Sequence, residues 1–153
     1  MKKLQIHLEQ LQQGKIEKIN EVVDPSTLDV SDDMLKFQSP ITIQGEAYLT
    51  DEWLIMRLAI QTKASMNCAL CNEPMSIDID INNLIEEESI QNIHGGLFEF
   101  GHLVREAILL EMPFYPQCGG TECRNRTVVE KYLAHTDEEI DHTPHNQPFR
   151  DLL

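Results

Sequence analysis

The sequence predicts an α+β fold, and three observations predict it. Apolar and polar residues alternate with period two around residues 41–49, 56–64 and 75–81, as half-buried strands require. The period changes to helical spacing across residues 101–112. The four cysteines come as two close pairs, one in each half of the chain, which suits loops folded back onto one another rather than a helical bundle. The expected architecture is an antiparallel β-sheet with a zinc-knuckle hairpin, one main amphipathic helix and a second cysteine loop.

Leu4, Ile6 and Leu8 alternate with Gln5, His7 and Glu9, so a strand is expected over residues 4–11. Gly14 breaks that pattern, and residues 16–23 fit a strand or a short helix. Asp24-Pro25-Ser26 signals a turn, because proline fixes φ and the flanking oxygens cap turns. Ser31-Asp32-Asp33 marks a loop. Ile41, Ile43, Ala47 and Leu49 then form one face of a strand, with Gly45 inside it. Thr50-Asp51-Glu52 turns the chain into a second strand, whose Met56, Leu58, Ile60 and Ala64 face one way and Arg57, Gln61 and Lys63 the other.

Met75, Ile77, Ile79 and Ile81 alternate with Ser76, Asp78, Asp80 and Asn82 in the cleanest period-two run of the chain. Cys68 and Cys71 therefore sit in the loop of a β-hairpin that Pro74 helps to end. Glu86 to Glu88 reads as a solvated charge run, and Gly95-Gly96 as a turn. Leu103, Val104, Ala107, Ile108 and Leu110 or Glu111 share a helix face, and Pro113 stops that helix. A short helix is compatible with residues 128–135. Residues 1–135 are expected to form a single α+β domain with the four-cysteine site, with residues 1–40 open to being a subdomain. Residues 136–153 read as a polar linker and a short apolar tail.

The hydrophobic share of 41% is enough for a core, which argues against disorder. No apolar run approaches the length of a membrane span. The N-terminal alternation is not a signal peptide, so a cytoplasmic protein with reduced thiols is expected. The net charge of −14 opposes broad adhesion to nucleic acid or anionic membrane and favours a protein partner.

Cys68 and Cys71 are spaced C-x2-C, and Cys118 and Cys123 are spaced C-x4-C. Each spacing lets two thiolates converge on one ion, and four thiolates suit tetrahedral zinc in a structural role. A catalytic zinc would need an open coordination position that four thiolates do not leave. The competing readings are packed thiols or a redox dithiol, although a thioredoxin-like motif needs a strand leading into a helix. Arg124 and Arg126 are placed to offset the thiolate charge, and loss of any one cysteine is expected to loosen both loops. Arg124, Arg126 and Lys131 form a late basic cluster beside the site, a candidate contact for a partner or RNA. The apolar-ended tail fits either docking back on its own sheet or anchoring a partner, with Phe149 as the candidate anchor. His142 and His145 read as solvated, His94 and His102 as structural or exposed. No nucleophile elbow, phosphate loop or H-E-x-x-H motif is present, so an enzyme is not expected.

Several segments in order resemble the bacterial YceD family, the large ribosomal RNA subunit accumulation proteins. They are Cys68-Ala69-Leu70-Cys71-Asn72-Glu73-Pro74, then Leu103-Val104-Arg105-Glu106-Ala107-Ile108-Leu109-Leu110-Glu111-Met112-Pro113, then Cys118, and last Gln147-Pro148-Phe149-Arg150-Asp151-Leu152-Leu153. They span the C-terminal two thirds of the chain. The resemblance implies a non-enzymatic factor in ribosome biogenesis, supporting large-subunit rRNA accumulation or processing. It implies a ribosomal or rRNA-processing protein, or pre-ribosomal RNA, as partner, with no small-molecule substrate. Many family members continue into further cysteines of a G-L-C-x-x-C-G type, whereas here Cys123 is followed by Arg124-Asn125-Arg126 and no later cysteine. A thiol redox or metal-handling protein is the alternative reading of the same cysteines.

Overall fold

A computed structural model describes residues 4–118 and, beyond them, Cys123, Asn125, Arg126, Val128 and Tyr132. The strands are β1 (Gln5–His7), β2 (Glu17–Val23), β3 (Leu35–Phe37), β4 (Ile41–Leu49), β5 (Trp53–Asn67), β6 (Pro74–Ser89) and β7 (Leu97–Glu99), followed by helix α1 (Gly101–Leu110). All pairings are antiparallel. The fold is therefore a mixed α+β one made mostly of strand.

The long strand β5 organises the larger sheet. One of its edges carries β6 along almost its whole length. The other is shared, with β4 against residues 54–61 and β3 against residues 64–66. Strand β2 closes the sheet beyond β4, and β1 pairs with β7 in a separate two-stranded sheet. The expected face of β5 is the buried one: Leu54, Met56, Leu58, Ile60 and Ala64 are buried, while Arg57, Gln61 and Lys63 are exposed. Ile41, Ile43 and Ala47 of β4 join them. Ile6, Leu11, Leu28, Phe100, Val104 and Ile108 join the same core cluster from β1, the 3₁₀ turns, the entry to α1 and α1 itself, as do Ile19 and Val23 of β2 and Ile79 of β6.

Gly45 is required where it stands. A Cβ there would collide with the backbone carbonyl of Arg57 on the neighbouring strand. Across β5, two residues of β6, Asn82 and Asn83, oppose the single Ala59, because Leu58 pairs with Leu84 and Ile60 with Ile81. This β-bulge flips the inward parity of β6 from odd to even numbers. Ile77, Ile79 and Ile81 are the more buried residues just before it; Leu84, Glu86 and Glu88 are half-buried after it, as is Ser89 at the strand's end.

The structure departs from the sequence reading at several elements. The strand expected over residues 4–11 stops at His7, and a 3₁₀ segment, Leu8–Gly14, takes over to bury Leu11. Residues 16–23 resolve to strand, since β4 offers them a full hydrogen-bonding edge. The turn at Asp24 opens a 3₁₀ helix, Pro25–Leu28, with the Asp24 carboxylate accepting from the Ser26 amide at 2.8 Å. Glu86 to Glu88 is not a free charge run but the continuation of β6. Its length is set by β5, whose hydrogen bonds need partners out to Trp53. Helix α1 ends at Leu110, two residues before the expected limit. Leu110 is 78% exposed and does not belong to the buried face. Arg105 donates from Nε to the carbonyl of Leu28 at 2.7 Å, which ties α1 to the N-terminal third. Arg126, Val128 and Tyr132 have helical backbone. The linker and tail expected over residues 136–153 lie outside the described residues.

Candidate metal centre

The site is built at the far tip of the β5–β6 hairpin. Asn67 pairs with Pro74, and the six residues between them form the knuckle. Its turn is closed by two backbone bonds, Cys68 N–H to Glu73 carbonyl and Asn72 N–H to Cys68 carbonyl, both 2.8 Å. Asn72 takes φ of +59°, a left-handed conformation that asparagine tolerates better than most residues. The tight turn turns both sulfurs to one side.

The second pair arrives from the end of α1. Pro113 and Pro116 keep the chain from continuing as helix. Pro116 is buried, and its carbonyl accepts from the Ala69 amide at 2.7 Å. This bond docks the returning chain onto the knuckle just before Cys118. Asn125 adds a second tie, donating from Nδ2 to the Leu70 carbonyl at 2.6 Å.

All four sulfurs meet. The Sγ atoms of Cys68, Cys71, Cys118 and Cys123 lie within 4.8 Å of one another. Cys68 and Cys123 are 3.9 Å apart, Cys71 and Cys118 3.7 Å. These separations are far beyond a disulfide bond, and all four cysteines are free. Cys68 and Cys123 are buried, while Cys71 and Cys118 are partly open to solvent. The cluster can hold a metal ion. It is the group of closely spaced ligand side chains found among the described residues.

The surroundings favour negative charge at one sulfur above all. The amides of Cys118 and Leu70 point at Cys68 Sγ, at 3.3 and 3.4 Å. Hydrogen bonds from the Cys118 and Cys71 amides pull the Cys68 thiol down to about 6. Cys118 moves the other way, to about 12, because the Cys123 sulfur and burial both oppose a second charge. At Cys71 the Glu73 amide pulls downward, but burial and the neighbouring sulfurs outweigh it and the thiol rises. Without a cation the cluster therefore resists carrying four charges, and a bound ion would reverse this by pairing with each thiolate.

The structure brings together every cysteine that the spacing selected. Arg126 is half-buried beside the site, and its amide donates to the Cys123 carbonyl at 3.3 Å. Arg124, Lys131 and Phe149 lie outside the described residues, as do His142 and His145. His94 and His102 are exposed, and His102 meets only the edge of Phe98, with ring centroids 6.4 Å apart. The supporting residues missed by sequence reading are Asn72, Pro116 and Asn125. Asn72 carried a signal, since an asparagine following C-x2-C suits a left-handed turn. Pro116 and Asn125 act through contacts between distant segments and gave none.

The described residues contain no helix long and apolar enough to cross a membrane. Compared with protein-family models, with curated proteins and with solved structures, the chain gives no significant match.

Proposed function

We propose that this chain is a zinc-braced binding protein of the YceD type, acting in the cytoplasm to support accumulation of large-subunit ribosomal RNA during ribosome assembly. The observation that carries the brace is the four-sulfur cluster. A tetrahedral zinc with Zn–S bonds of about 2.3 Å has sulfur–sulfur edges of about 3.8 Å. The two contacts at 3.7 and 3.9 Å match that edge. Cys68, Cys71, Cys118 and Cys123 would hold the ion, and zinc would supply charge neutralisation and a cross-link, with no position left for substrate.

The ribosomal reading rests on the quoted resemblance, and two observations support a binding role beside it. The outer face of the larger sheet leaves Trp53 and Ile85 45% and 46% exposed, next to Tyr48, Ile55 and Arg57. Trp, Tyr and Arg are the residues that anchor protein interfaces. A cleft of about 420 Å³, lined by Ser39 and Pro40 of the β3–β4 link and by β5 and β6, is open, and its carboxylates are engaged. Asp78 pairs with Lys63 at 3.6 Å, and Asp80 accepts from Gln61 at 3.3 Å. Such groups do not form a poised acid–base pair.

The test is the ratio of large- to small-subunit ribosomal RNA in cells depleted of this protein. A lowered ratio is expected, restored by the intact chain and less well by Trp53→Ser. An unchanged ratio on depletion would remove the ribosomal reading. Metal analysis of the purified protein is separate: one zinc per chain supports the brace, iron would replace zinc in the same cage, and no metal would remove it.

A further inference from the structure

We propose that the cluster is also an oxidation site of defined pairing, in which a peroxide-class oxidant converts the metal-free cysteines into two cross-loop disulfides, Cys68–Cys123 and Cys71–Cys118. This deepens the metal-brace reading but does not depend on which ion is bound.

A sequence view would pair each cysteine with its near neighbour, within C-x2-C and within C-x4-C. All four sulfurs lie within 4.8 Å of one another, and the two sulfur–sulfur hydrogen-bond contacts among them run between the loops, Cys68 Sγ to Cys123 at 3.9 Å and Cys71 Sγ to Cys118 at 3.7 Å. Closing either contact to a bond near 2.04 Å needs each sulfur to move by roughly 0.9 Å. The loops are already docked by the Ala69–Pro116 and Asn125–Leu70 hydrogen bonds, so the approach is set before any bond forms.

The chemistry balances for each pair. One sulfur attacks a peroxide oxygen, the O–O bond breaks, a water leaves, and a sulfenic acid forms. The contacting sulfur then displaces the hydroxyl, which departs as a second water with the remaining thiol proton. Two thiols are oxidised to one disulfide, and one peroxide is reduced to two waters. Cys71 and Cys118 are the partly exposed pair and the natural point of entry.

The consequence differs by pairing. Bonds within each motif would leave the two loops independent. Cross-loop bonds replace the ion with covalent ties between the same two segments, so the tip stays braced when the metal is lost to oxidation. The cluster would then tolerate oxidation instead of failing by it.

The experiment uses the full chain, reduced, stripped with a chelator and treated with hydrogen peroxide. Free thiols are then alkylated, and the disulfides are mapped by peptide mass spectrometry. Four alkylatable thiols should fall to none, with Cys68–Cys123 and Cys71–Cys118 as the dominant linkages. Amide exchange at Ala69 and Asn72 should be slower in the oxidised protein than in the reduced, stripped one. Linkages within each motif, intermolecular bonds, or thiols that persist would overturn the proposal. A Cys68→Ser/Cys123→Ser double variant should still form Cys71–Cys118, whereas Cys68→Ser/Cys118→Ser leaves Cys71 and Cys123, which lie within 4.8 Å but outside the two direct sulfur–sulfur hydrogen-bond contacts, and should cross-link more slowly. Equal rates would also count against the proposal. Metal analysis of the untreated protein is read separately, so failure of the brace and failure of this pairing are distinguishable.

Discussion

The two ends of the β5–β6 hairpin are held by different physics. Near its open end, Leu54, Met56, Leu58 and Ile60 are each 2% exposed or less, with β4 alongside and Val104 and Ile108 of α1 in the same core. Near its tip, Ser65, Met66, Asn67, Met75 and Ile77 are only partly covered, and the buried side chain of the knuckle is Cys68. Apolar burial scales with area, and the tip has little area to bury. An ion bound by four thiolates would supply there what the core supplies elsewhere. The comparison teaches that the tip and its returning loop depend on what the four sulfurs hold, while the sheet stands on its own packing.

The largest expected effect lies at the open end. Ile60→Ala removes a fully buried side chain and should cost about 2–5 kcal/mol in denaturant unfolding. If chelation of the native protein proved more damaging to global stability than Ile60→Ala, the division between the two ends would fail.

Gly45→Ala comes next. The new methyl meets the Arg57 carbonyl, and relief requires β4 and β5 to part. A loss of roughly 1–3 kcal/mol is expected, with metal content unchanged. A neutral result would mean that β4 and β5 can part at Gly45 without loss.

Cys71→Ser should act locally. Metal content should fall, and the amides of Ala69 and Asn72, which are bonded to Pro116 and Cys68, should exchange faster. The amides of Met56, Leu58 and Ile60 should remain protected. Unchanged metal content would sink the four-thiolate assignment. Loss of protection along all of β5 would show that the tip and the core are one cooperative unit.

How far the sequence exposed these two ends differs in kind. The core strands were legible because one face of β4 and β5 is buried at strict period two, and burial of one face leaves no freedom of register. The cysteine set was legible because ligand chemistry restricts residue type and spacing. Strands β3 and β7, three residues each, were missed, since so short a run shows no period and forms only because an edge is available. The bulge was written in the step from Ile81 to Leu84, which spans three positions where the pattern before it spans two. Glu86 to Glu88 misled because charge dominates a composition reading, whereas backbone pairing with β5 decides its conformation. Arg105 was noticed only as part of a motif; its tie to the Leu28 carbonyl is tertiary and left no local trace.

The smallest effect, and the sharpest probe of the tip alone, is the pH dependence of the metal-free protein. Cys68 is lowered in the fold from 9.0 to about 6, first by the Cys118 amide. A depressed folded value contributes stability that is present above 9.0 and is lost as pH falls through about 6. Cys118 is raised from 9.0 to about 12, first by the Cys123 sulfur. A raised folded value contributes stability that is present below 9.0 and is lost as pH rises towards about 12. The two limbs together place the maximum stability of the stripped tip near pH 9. Denaturant midpoints of the stripped, reduced chain across this range should show it. Cys68→Ser should flatten the acid limb and Cys118→Ser the alkaline one. A profile insensitive to both variants would mean that these amides and sulfurs do not hold their positions once the ion is gone, so that the ion is needed to arrange the tip as well as to hold it.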